Sequence, residues 1–220
     1  MTNLNQLLLN FDLEQNYHND DFYVNKSNFY AHDLINRWPK WEKNILNIYG
    51  EKYCGKTHLS KIFQKKFKAF KIQANDFKDT NLKEFKVFQN LILDDFNENI
   101  NEKLMYSLFN IADQDNKFIL INSIQPINQL NFKLNDFISR TKNCLYAQIE
   151  KPDDKLMFAI LLKNFSDRQI TVEKKLIDFI IKHIDRSYEK IYEFIYKIDE
   201  ISLKRKKSID FKIIKEALKV

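Results

Sequence analysis

The stretch Gly50-Glu51-Lys52-Tyr53-Cys54-Gly55-Lys56-Thr57 carries the most definite chemistry in this chain. Its spacing, G-x-x-x-x-G-K-[ST], is that of the Walker A phosphate loop, in which backbone N–H groups turn inward around a phosphate. The chain has only 2 glycines, Gly50 and Gly55, among 220 residues. Glycine is therefore kept where such a loop cannot accept a Cβ and is given up elsewhere. In this reading Glu51, Lys52, Tyr53, Cys54 and His58 line the phosphates with Gly50 and Gly55. Lys56 reaches the β- and γ-phosphates, and the Thr57 hydroxyl holds Mg²⁺. Cys54 reads either as a small residue filling a loop position or as a redox-sensitive thiol.

Three further positions could act on such a phosphate. Asp94 and Asp95 follow the apolar run Asn90-Leu91-Ile92-Leu93, the Walker B arrangement. The first carboxylate is expected to support the Mg²⁺ shell and the second to orient an attacking water. Asn122 closes the apolar run 118–121, where a polar side chain could touch the γ-phosphate or the water. The alternative is an ordinary strand-ending polar residue. Arg140, in Ser139-Arg140, reads either as a surface arginine or as a finger reaching a neighbouring subunit's nucleotide.

These side chains need elements to place them. Ile45–Tyr49 reads as a short buried strand running into the loop, and 56–66 as the helix that follows. Strand–loop–helix is the context the motif requires, because a helix N-terminus adds partial positive charge to the phosphate site. Further strands are expected at 69–73, 90–93, 118–121 and 144–149, with helices at Phe29–Arg37 and 101–113. Strands alternating with helices imply a parallel five-stranded α/β sheet with its ligands at the carboxyl ends of the strands. After Lys151-Pro152 the alternation stops. Stretches 153–164, 172–183, 188–202 and Phe211–Leu218 carry apolar residues at helical spacing. The expected organisation is a flexible tail at 1–14, an α/β nucleotide-binding domain at 15–150 and a small all-helical domain at 151–220.

Composition bounds the rest. A hydrophobic content of 44%, with 19 Phe and 10 Tyr, is ample for a buried core. No apolar run reaches the length of a membrane span, and the N-terminus lacks a signal-peptide pattern. The 2 cysteines lack metal-ligand spacing and point to a reducing cytosol. The formal charge of +6 is compatible with nucleic-acid contact. However, Lys, Asn, Ile and Phe are heavily used throughout, as AT-rich coding would produce. Basic residues are dispersed, apart from Lys204-Arg205-Lys206-Lys207, which reads as a solvated loop.

Taken together, these residues resemble the AAA+ P-loop NTPase module of the DnaA family, and most closely its shortened Hda type. Phe22-Tyr23-Val24-Asn25-Lys26-Ser27-Asn28 is similar to the family's F-x-x-G-x-S-N segment beside the adenine, with Asn25 in place of glycine. Gly55-Lys56-Thr57-His58-Leu59, Leu91-Ile92-Leu93-Asp94-Asp95 and Ser139-Arg140 match its phosphate loop, Walker B and arginine-finger positions. The closing segment, Ser208-Ile209-Asp210-Phe211 through Leu218, resembles the end of the family's helical lid. Asn36-Arg37-Trp38-Pro39-Lys40-Trp41 is similar to alphaproteobacterial members.

The resemblance implies ADP or ATP with Mg²⁺ as cofactors, and Tyr23 and Val24 beside the base. The sequence stops after the lid, which implies no helix-turn-helix domain and no direct sequence-specific DNA binding. Gln6-Leu7-Leu8-Leu9-Asn10-Phe11 is similar to the peptide that docks in the DNA polymerase sliding clamp (the β subunit), with Gln6, Leu7, Leu9 and Phe11 as contacts. A disordered segment that orders on binding suits that role. The implied function is clamp-bound stimulation of ATP hydrolysis on DnaA, which represses re-initiation of chromosome replication, with Arg140 acting in trans. The implied location is the cytoplasm, at the nucleoid through the clamp, and a homo-oligomer is compatible with it. At the family's sensor arginine this chain has Glu189. Either Arg186 or Lys190 substitutes, or the protein reads its own nucleotide poorly and has weak intrinsic ATPase activity. Alternative readings are a DNA-binding or helicase-loading AAA+ ATPase and a nucleotide-locked clamp scaffold without catalysis.

Overall fold

The computed structural model describes residues 22–168, 170, 172–205 and 209–218. The clamp-motif residues Gln6, Leu7, Leu9 and Phe11 lie outside them. Five strands, β1 (Ile45–Tyr49), β2 (Phe70–Gln73), β3 (Asn90–Phe96), β4 (Phe118–Ser123) and β5 (Leu145–Gln148), form one parallel sheet in the order β2-β3-β4-β1-β5. Helices α1 (Phe29–Arg37), α2 (Lys56–Phe67), α3 (Asp79–Val87), α4 (Glu102–Gln114) and α5 (Asn135–Thr141) cover its faces.

Alternation along the strands assigns side chains to the two faces. Leu91, Leu93, Ile119 and Ile121 pack with Phe85, Leu108 and Phe109 from α3 and α4. Their neighbours Ile92, Leu120, Leu46 and Ile48 pack on the other face with Leu59 and Phe63 of α2 and Ile35 of α1. Strands buried on both faces read as continuous apolar runs, which is why β1 matches the expected bounds. By the same parity Lys71, Asp94 and Asn122 belong to the α2 face.

The boundaries differ where backbone geometry is irregular. β3 continues past Leu93 to Phe96, and its register with β4 shifts between Leu93 and Phe96. This bulge contains Asp95, whose φ of 51° lies in the left-handed region. A bulge adds a residue and re-aims the side chains around it, so both carboxylates are still strand residues. β4 likewise runs on through Asn122 to Ser123.

Helices α6 (Asp154–Asp167), α7 (Lys174–His183), α8 (Tyr188–Arg205) and α9 (Phe211–Leu218) follow the sheet. They enclose their own core around Met157, Phe165, Ile180, Ile195 and Ile214. The starts of α6 and α9 follow from capping: Asp153 accepts from Leu156 N at 2.8 Å and Asp210 from Ile213 N at 2.9 Å. Ile160 packs against both this core and the α2-face core. The first residues of the basic run are helical rather than loop. Lys204 and Arg205 close α8 and pair with Glu200 and Glu216, as cations at a helix C-terminus should. No helix among the described residues is long and apolar enough to cross a membrane.

Candidate functional site

The loop leaves β1 at Gly50, and both glycines are sterically required. A Cβ on Gly50 would lie 2.7 Å from the Ile149 carbonyl oxygen and 2.9 Å from Cys54 Sγ. Gly55 has φ of 101°, and a Cβ there would meet the Phe22 ring at 3.0 Å. Gly55 is also the N-cap of α2, which has no side-chain cap. The first amides of α2 are therefore free of intrahelical acceptors and face an anion-binding position. Lys56 Nζ bridges the loop, donating to the carbonyls of Gly50 at 2.7 Å and Glu51 at 2.8 Å, with Cys54 Sγ at 3.7 Å. Thr57 is exposed on the first turn. Burial pushes the Cys54 thiol pKa up, against the opposing pull of Lys56.

Beside the loop, on the α2 face, the carboxyl ends of β3 and β4 meet. Asp94 is 3% exposed and Asn122 fully buried. Asn122 Nδ2 donates to Asp94 Oδ1 at 2.9 Å and approaches Ser60 Oγ of α2 at 2.6 Å. Its Oδ1 is buried without a hydrogen-bond partner. The other Asp94 oxygen, Oδ2, lies 2.6 Å from Lys71 Nζ of β2. The backbone amide of Asp95 approaches Asp94 Oδ1 at 3.3 Å. Exposed Asp95 faces Gln73, whose amide nitrogen, turned toward it, donates to Oδ2 at 3.2 Å.

The loop, the uncapped α2 terminus and Lys56 fit a nucleotide's phosphates. A divalent cation at Asp94 does not fit: both carboxylate oxygens are engaged, and an ammonium already neutralises the charge.

A shallow, open groove of about 470 Å³ is lined by Tyr23, Asn25, Lys26, Asp153, Asp154 and Arg186 among others. Asn25, which replaces a glycine of the resembling family, is not among the residues with positive φ, so glycine is not needed. Its side chain shapes the turn, accepting from Ser27 N at 2.9 Å and donating to Asp153 at 2.9 Å. Tyr23 and Val24 are exposed. Phe22 sits between His32 and His58.

Helix α8 closes over the loop. Glu51 accepts from Ser187 Oγ at 2.9 Å and from Tyr188 N at 2.7 Å, capping the α8 terminus. Tyr53 stacks on Tyr192 at 4.0 Å. Thus the side chains of Glu51 and Tyr53 serve the contact between the loop and α8. Arg186 pairs with Asp154 at the groove wall, and Lys190 with Glu193 on the outer face of α8. Glu189 is half-buried beside them.

Arg140 sits apart. It closes α5 and pairs with Asp113 at 2.5 Å near the end of α4. Asn44, just before β1, donates to Ala112 O at 2.9 Å, which fixes this end of α4 at the amino ends of the strands. The phosphate loop is at their carboxyl ends, roughly 17 Å away along a five-residue strand.

Sequence reading missed Lys71, Ser60, Gln73, Ser187 just before α8, and the α8 residues Tyr188 and Tyr192. Parity places Lys71 on the α2 face once β2 and β3 are paired, but no motif marks that pairing.

No protein-family model matches the chain. It is 26% identical over 233 residues to the chromosomal replication initiator DnaA of Caldanaerobacter subterraneus subsp. tengcongensis, covering 94% of this chain and 53% of that protein. The chain thus spans about half the length of the curated relatives it matches. In structure it is similar to domain III of Thermotoga maritima DnaA, with a TM-score of 0.73 and 20% identity, covering 95% of this chain and 98% of that one. It is also similar to AMPPCP-bound DnaA from Aquifex aeolicus, with a TM-score of 0.71 and 21% identity, covering 89% and 70%. The chain thus shares its fold with these DnaA structures and is similar in sequence to DnaA proteins.

Proposed function

We propose that this chain is an Hda-type AAA+ regulator that holds an adenine nucleotide and promotes hydrolysis of the ATP carried by DnaA, acting from the sliding clamp. The observation that carries this reading is the position of Arg140. It lies at the end of the sheet opposite the chain's own phosphate loop, exposed and held by Asp113 alongside. An arginine so placed can serve a nucleotide only on another subunit. The similarity to DnaA along 94% of the chain supplies a partner of matching architecture, and an AMPPCP-bound DnaA of the same fold supports adenine nucleotide as the ligand.

In this reading Gly50, Gly55, Lys56 and the first amides of α2 hold the phosphates. Tyr23, Val24 and the Arg186 wall of the groove receive the base and ribose. Asp95, carried outward by the β3 bulge, is the carboxylate open to water. The bound nucleotide is a conformational ligand, turned over slowly, with Glu189 in the place of the sensor arginine. Residues 6–11 dock on the clamp, which places the protein at the nucleoid in the cytoplasm.

The test is reconstitution with DNA-loaded clamp and ATP–DnaA, omitting each component in turn. Wild-type protein is expected to accelerate DnaA's hydrolysis. Arg140→Ala is expected to bind nucleotide and clamp normally while losing that acceleration, by roughly 10³-fold or more if the side chain acts as fingers do elsewhere. Undiminished stimulation by the variant would refute the role. The net charge of +6 favours a second reading, in which the chain binds single-stranded DNA. Salt-dependent binding to an oligonucleotide at physiological ionic strength, without stimulation of DnaA, would support that reading instead.

A further inference from the structure

We infer that Lys71 occupies the divalent cation's place at the Walker B carboxylate, so that this chain holds its nucleotide with little dependence on magnesium. The inference rests on the reading of the loop as a nucleotide site and defines how that site is charged.

The geometry is specific. β2 and β3 pair with Ile72 opposite Leu93 and Gln73 opposite Asp94. Phe70 and Ile72 pack on the far face of the sheet, so Lys71 is turned to the α2 face, two positions back from the carboxylate in register. From there its four-carbon stem brings Nζ to 2.6 Å from Asp94 Oδ2. The side chain is 19% exposed and that of Asp94 5%, so the pair is little screened by solvent. Asp94 Oδ1 is taken by Asn122 Nδ2 and approached by the Asp95 amide. The carboxylate is thus satisfied by donors and neutralised by a tethered cation.

For Asp94 to join a hydrated metal shell, the ion pair must open. Opening it leaves a mostly buried ammonium unpaired, a strongly unfavourable arrangement. A divalent ion would also add charge beside that ammonium and Lys56. The ammonium can stand in for the cation's field at the phosphates, but it cannot bridge two phosphate oxygens as a metal does. The site is therefore suited to retaining a nucleotide rather than to transferring its phosphoryl group. Lys71 is a positioning residue in this account: it sets the state of Asp94 rather than contacting the reacting atoms.

The experiment measures equilibrium binding of N-methylanthraniloyl-ADP to the full chain, in excess magnesium and in EDTA. The wild type is expected to differ by no more than about twofold between the two conditions, and Lys71→Met to gain about tenfold or more from magnesium. Lys71→Arg, which keeps the cation, is expected to follow the wild type. A change in folding alone would not make affinity metal-dependent, so a structural role for Lys71 is distinguished. A wild type that gains tenfold from magnesium overturns the inference on its own, with no variant needed. A Lys71→Met protein no more responsive than the wild type also overturns it. If labelled ADP binds in neither condition, the nucleotide reading itself fails and the inference falls with it.

Discussion

Cys54 shows how a single residue's environment chooses between two readings of its type. The thiol is 4% exposed, and burial raises its pKa despite Lys56 close by. Thiolate is the reactive form, so the structure favours a packing role, with Sγ set beneath Gly50. Cys54 is therefore expected to react with Ellman's reagent far more slowly in the folded protein than in urea, as a stopped-flow comparison would show. Rapid labelling of the native chain at neutral pH would restore the redox reading. At this scale the sequence was most legible where backbone geometry is limiting. Gly50 and Gly55 sit where a Cβ has no room, so their scarcity elsewhere is informative. It was least legible for Lys71 and Asn25. Their partners, Asp94 and Asp153, are chosen by strand register and chain reversal, which composition and spacing do not encode.

Among the elements, the central strands β1, β3 and β4 were the most legible, because each is a largely apolar run buried on both faces. Their ends were not, because a bulge at Asp94-Asp95 continues β3 through two carboxylates that read as a stop. Seven-residue α5 gives too short a pattern to announce itself, although it carries Arg140. The contact between the phosphate loop and α8 is the least predictable, since a loop glutamate caps a helix 136 residues later. Its contribution can be measured. Glu51→Ala removes the acceptor of Tyr188 N and Ser187 Oγ at a helix N-terminus, where such a group contributes about 1–2 kcal/mol. Hydrogen exchange is expected to speed up in the first turn of α8 while the amides of β1 keep their protection. Equal loss in both would mean that Glu51 supports the whole sheet instead of the helix end.

At the scale of the whole molecule, strand order was beyond sequence reading. β1 lies between β4 and β5, neighbours drawn from the far side of the chain. Phe22 packs against the loop and α1, and the proposed clamp motif at residues 6–11 lies upstream of it in the sequence. Deleting those residues is accordingly expected to abolish retention on immobilised clamp while leaving the affinity for labelled ADP unchanged. Clamp retention by the shortened protein would move the docking site onto the folded body. The Glu51 and Tyr53 contacts with α8 have a mechanical corollary. An 18-residue helix is a rigid arm about 27 Å long, and a tilt of roughly 5° at one end moves the other by about 2 Å. Its distal end is hooked to α9 through Arg205 and Glu216. A ligand that moved the loop would therefore be felt at the far end of α8, where the arm turns a slight tilt into a displacement of about 2 Å.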